Sequence, residues 1–138
     1  MTHFTALKLT AALALALATP ALAAASDFVG TWTNTDTGTR GITRIVVTPN
    51  GDGTLNMQVF GKCSPSDCDW GKVAAVAYSS GVQDTNPTVV SAVYPKGFSS
   101  TIVVLQKNSF GMVEAMNLTQ FLDKSGRANY GAIDLFHR

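Results

Sequence analysis

The sequence predicts an all-β fold: a single antiparallel up-and-down barrel of eight strands, closed or nearly closed. Three observations carry that reading. Beyond residue 25 no segment keeps a 3.6-residue apolar period over three turns; short β-type runs recur instead, cut at fairly regular spacing by turn residues. Within several runs apolar and polar residues alternate, so that one face is made for a core. Eight sequential strands with short connections lie beside their sequence neighbours and can hide both edges by closing, which favours a barrel over a sandwich.

The runs follow in order. The first, FVGTWTN over 28–34, leads into the loop TDTGTRG. The second covers 42–48, with Ile45 and Val47 facing away from Arg44, and ends in PNGDG, whose Asn, Asp and Gly tolerate positive φ. In the third, 55–60, Leu55, Met57 and Val59 share one face and Asn56 and Gln58 the other. The fourth covers 73–78 and ends in SSG; the fifth covers 88–94 and ends in PKG. The sixth, 101–107, is apolar on both faces at Ile102, Val103, Val104 and Leu105, the pattern of a strand covered on both sides. NSFG joins it to the seventh, 112–121, and DKSG turns the chain into the eighth, 128–137.

Residues 1–25 read as an export signal peptide, leaving 26–138 as the barrel domain. Lys8 precedes the alanine- and leucine-rich run of 9–23, and small-residue triplets offer a cut after Ala23 or Ala25. The run is too short and alanine-rich for a membrane span, and no second one follows, so no membrane span is expected. The alanine-heavy style is bacterial, which makes the expected destination the periplasm or the medium. Losing Lys8 leaves nine basic against nine acidic side chains. A neutral domain without a basic run argues against nucleic acid as a partner.

FGKCSPSDCDWG, 60–71, holds both cysteines of the chain. In an exported domain, Cys63 and Cys68 across a turn containing Pro65 and Asp67 read first as a disulfide staple. Zinc would need four ligands, and the domain offers two cysteines and one histidine, His137, so no metal is expected. A catalytic redox pair normally has two intervening residues at a helix start, and this stretch has neither.

Little else supports chemistry. No GxSxG elbow, HExxH helix or glycine-rich phosphate loop occurs, so neither enzymatic activity nor a cofactor is expected. Glu114, the one glutamate, reads as an outward strand residue paired with a lysine or arginine. Asn117-Leu118-Thr119 has only the form of a glycosylation sequon. The aromatic residues say more: Trp32 in the first strand and Trp70 before the fourth close a barrel end or line a pocket, and an arginine from Arg40, Arg44, Arg127 or Arg138 stacked over Trp32 would plug the barrel base.

The stretch Phe28-Val29-Gly30-Thr31-Trp32-Thr33-Asn34 resembles the opening strand of the calycin group, lipocalins and avidins. That resemblance implies a calycin-like barrel, an arginine from the last strand packed on Trp32, and a ligand contact at Asn34. The later tryptophans and serines of an avidin pocket have no counterpart. GTWTNTDTGTRGITR, FGKCSPSDCDWG and SGRANYGAIDLFHR together resemble a family of small uncharacterised bacterial exported domains, a likeness that implies a shared fold and no activity. The expected function is the binding of a small apolar or amphipathic molecule, with Trp32, Asn34, Arg44 and Trp70 as contacts. The alternative is a module that binds an exported protein partner, such as an inhibitor of a hydrolase, through the stapled Cys63 to Cys68 loop.

Overall fold

Strict alternation of buried and exposed side chains shapes the molecule, most plainly along Val113–Phe121, where Val113, Ala115, Asn117 and Thr119 turn inward and their neighbours face out. A computed structural model describes residues 25–138. The leader expected over 1–25 lies outside them, apart from Ala25. After a short 3₁₀ turn, Ser26–Phe28, come eight strands: β1 Gly30–Asn34, β2 Ile42–Pro49, β3 Leu55–Gly61, β4 Cys68–Tyr78, β5 Val89–Pro95, β6 Ser99–Lys107, β7 Val113–Phe121 and β8 Tyr130–His137. Each pairs antiparallel with its sequence neighbours and β8 returns to β1, giving the closed up-and-down barrel that the sequence predicts.

Besides shifts of one or two residues at other strand ends, such as β6 starting at Ser99 and β8 at Tyr130, the sequence reading differs from the strands in three places. The 3₁₀ turn takes the first residues of the opening run, so β1 starts at Gly30. β4 begins at Cys68 rather than residue 73, because Cys68 and Asp69 pair with Gly61 and Phe60; backbone pairing does not depend on side-chain polarity. β6 is not covered on both sides. Val103 and Leu105 are fully buried, whereas Ile102 is 41% exposed. The outward face of the sheet has no second layer among the described residues.

One end, the base, is sealed. Phe28 is fully buried and Trp32 nearly so, and the Trp32 indole N–H donates to the Phe28 carbonyl at 2.8 Å. The arginine over that ring is Arg138, its guanidinium carbon 4.6 Å from the ring centroid. Arg138 also donates to the Asp27 carbonyl, and Lys107 bridges to the Asp27 carboxylate at 2.7 Å. Lys107 and its hydrogen bond hold that carboxyl below its ordinary range. Above this plug Met57, Val59, Val90, Val103, Leu105, Val113 and Phe136 fill the centre with no exposure. Eight strands give an interior that side chains fill.

The barrel wall is uneven. β1 has five residues against eight in β8. The two strands pair only at Thr33 with His137 and Asn34 with Phe136, followed by one bond from the Thr35 N–H to the Leu135 carbonyl at 2.8 Å. Above that bond the wall is open beside β8.

Candidate mouth site of the barrel

The open stretch of wall leads into a cavity of about 330 Å³ at the end opposite the base. Ile42, Gly61, Trp70, Asn117, Tyr130 and Asp134 line it, with Arg40, Lys62 and the two cysteines along its rim.

Trp70 reaches the cavity through a bulge. The β3–β4 register shifts between Gln58 and Phe60, and Gly71 takes φ +92°, a conformation that favours glycine. Asp69 secures the bend by accepting from the Gly71 N–H at 2.8 Å and from the Gln58 amide at 2.8 Å. The extra residue reverses the facing of the strand, so Trp70 points inward. Its ring then stands edge-on to Tyr94, centroids 5.8 Å apart and planes at 75°. It also lies over Gly61, where a Cβ would come within 2.8 Å of the indole nitrogen. Tyr94 is fixed by donating to the Met57 carbonyl at 2.7 Å; burial, and then the Asp69 carboxylate, push its hydroxyl above the usual phenol range.

Asn117 forms the polar floor. Its β7 position belongs to the inward row, it is 5% exposed, and its amide has no hydrogen-bond partner among the described residues although every fully enclosed polar side-chain atom is satisfied. The amide therefore keeps its contact with the cavity. Nearby, Thr101 and Thr119 satisfy each other at 2.8 Å. Across the β7–β8 register Asn117 faces Ala132, whose small side chain leaves the floor accessible. Burying an amide costs free energy unless a partner is supplied, and the protein supplies none to the Asn117 side chain among the described residues.

The stapled loop forms one wall. Cys63 and Cys68 are joined as a disulfide, their Cα atoms 5.4 Å apart. Thr43 donates to the Asp67 carboxylate at 2.6 Å, tying the loop to β2.

The four residues singled out from sequence do not converge. Trp70 lines the mouth, while Trp32 is sealed in the base. Asn34 and Arg44 border a separate groove of about 570 Å³ on the outer surface, between the β1–β2 loop and the stapled loop. Asn34 is buried, and its amide is occupied with the Ile42 carbonyl and the Asp36 N–H, each at 2.8 Å. Arg44 faces out and stacks on Phe60, 3.9 Å from the ring centroid. Glu114 also faces out, without an ion pair among the described residues. Sequence reasoning missed Asn117, Tyr130 and Asp134 as mouth residues. The available signal was Asn117 itself, an amide on the inward row that begins with Val113 and Ala115.

Among the described residues no three His, Cys, Asp or Glu side chains come together to hold a metal, and no helix is long and apolar enough to cross a membrane. Compared with protein-family models, curated proteins and solved structures, the chain finds no match.

Proposed function

We propose that this is an exported, non-enzymatic binding protein that takes a small amphipathic ligand at the open end of its barrel. The reading rests on the Asn117 amide, buried to 5% exposure on the floor of the mouth without a protein partner. Trp70 and Ile42 supply apolar surface beside it, and Arg40 and Lys62 against the single carboxylate of Asp134 leave the mouth with a net positive charge. A few polar groups set among apolar ones is the usual composition of a small-molecule site. A purely apolar guest has no room at the centre, where the side chains are fully packed. The disulfide fits an oxidising compartment, the periplasm or the medium.

The test is a titration with anionic amphiphiles, 8-anilinonaphthalene-1-sulfonate and decanoate, followed by amide NMR shifts. The Asn117 side-chain amide and the Trp70 indole N–H should move, Trp32 should not, and Asn117→Leu should weaken binding at least tenfold. Shifts confined to the outer groove, or equal affinity in the Asn117→Leu variant, would refute the mouth.

One observation favours the second reading, a protein partner held by the stapled loop. Ser64, Pro65, Ser66 and Asp67 are all exposed, while the disulfide and the Thr43–Asp67 bond fix their backbone. Fixing a loop in advance lowers the entropy lost on binding. In that case substitutions at Pro65 and Ser66 abolish binding while Asn117→Leu leaves it intact.

A further inference from the structure

We infer that the molecule taken at the mouth is an extended acidic peptide, added as a further strand along the open edge of β8. This rests on the mouth reading above and names the class of its ligand.

The free edge follows from the shortness of β1. Successive residues of a strand send their N–H and C=O groups to opposite neighbours. Leu135 sends its carbonyl to β1, where Thr35 bonds it. Ile133 and Gly131 therefore direct their own N–H and C=O groups to the same side, where no strand pairs with them. The β7–β8 register runs without a shift from Val113 with Phe136 to Thr119 with Tyr130, so the alternation holds along the whole stretch. Tyr130, Gly131, Ala132 and Ile133 are all exposed.

Proteins usually blunt such an edge with a charge, a proline or a bulge. Residues 130–133 read YGAI and contain none of these. Both flanks of the edge are equipped instead. On the inner side, a side chain passing over Ala132 would meet the unpartnered Asn117 amide and Trp70. On the outer side Ile133, 62% exposed, and Leu118, 45% exposed, present apolar surface. A strand laid here would alternate one side chain into the mouth with the next onto that surface, the usual division between backbone bonds for affinity and pockets for specificity. The charge at the rim sets the sign of the partner. Arg40 and Lys62 outnumber Asp134, the one carboxylate lining the cavity, and none of the three has an ion pair among the described residues, so the net positive charge favours a carboxylate on the incoming strand.

The experiment is selection from a phage-displayed library of random nonapeptides, followed by synthesis of the enriched sequences with both ends capped. The expected winners are acidic and alternate in polarity, slow hydrogen exchange at the Gly131 and Ile133 amides, and lose at least tenfold in affinity for the Arg40→Glu/Lys62→Glu variant. Ile133→Pro removes one edge N–H without touching a β7 bond and should abolish binding, whereas Ile133→Thr, which keeps that N–H and trims only the outer apolar contact, should weaken binding by no more than about tenfold. Methylating alternate backbone nitrogens of the peptide should abolish binding to the unaltered protein, so the outcome does not depend on how Ile133→Pro folds. Failure to enrich any peptide, binding that leaves both amides unprotected, or full affinity of the methylated peptides in both registers would overturn the inference. If amphiphiles still shift Asn117 in that event, only the ligand class falls; if they do not, the mouth falls with it.

Discussion

Two buried asparagines show how position decides the role of a side chain. Asn34 satisfies the Ile42 carbonyl and the Asp36 N–H, and thereby holds the β1–β2 loop. Replacing it with alanine strands a buried carbonyl and should cost about 1–3 kcal/mol in chemical denaturation. Asn117 satisfies nothing in the protein, so Asn117→Leu should leave the denaturation midpoint unchanged or raise it while binding at the mouth is lost. Opposite signs in stability are what separate the two roles. At the base, the Asp27 carboxyl titrates below its ordinary value of 3.8 because of Lys107. A lowered folded value means that this contact stabilises the protein above that pH and that its contribution disappears as pH falls through the folded value. Thermal melts of the parent and Asp27→Asn should therefore differ at neutral pH and converge in acid. Trp32 and Trp70 were legible as pocket or plug residues from their type. Which was which was not, since that depends on a bulge and on the far C-terminal Arg138.

At the scale of the elements, the pattern of β-type runs cut by turn residues located all eight strands, with alternation giving the inward faces of β2 and β3. It failed where pairing or exposure is governed by neighbours. The first residues of β4 pair although they are polar, and the outward side of β6 stays apolar although uncovered. The Gly71 bulge left a trace in sequence only as a glycine after Trp70, and the short β1 left none, because where a strand stops pairing depends on a partner a whole chain away. The contact between Gly61 and Trp70 yields a prediction for this level. Gly61→Ala places a Cβ within 2.8 Å of the indole nitrogen, so the ring must shift from its place at the mouth. The Trp70 emission should shift and mouth ligands should bind more weakly. Removing the staple with Cys63→Ser/Cys68→Ser should cost about 2 kcal/mol by the loop-entropy relation for so small a ring, measurable by urea denaturation.

Across the whole molecule the outer surface is lopsided. Val76, Ser91, Val104, Met116 and Ile133 form one row across β4 to β8, and Val93, Ile102, Leu118 and Gly131 form the next across β5 to β8. No charge occurs in either row, whereas Arg44 and Lys72 lie on the outer side of β2 and β4. Exposed apolar surface of this kind limits solubility. Ile102→Lys with Leu118→Glu should raise the saturation concentration while shifting stability by no more than about 0.5 kcal/mol per site, as surface substitutions usually do.

The thin contact between the chain's first and last strands also dictates the order of assembly. Every other pairing joins consecutive strands, so hairpins can add one after another with little search; only Thr33 and Asn34 must find Phe136 and His137 from afar. That encounter carries the largest chain-closure penalty and comes last. In stopped-flow experiments, weakening a central hairpin therefore retards refolding, whereas weakening the Asn34–Phe136 junction chiefly hastens unfolding.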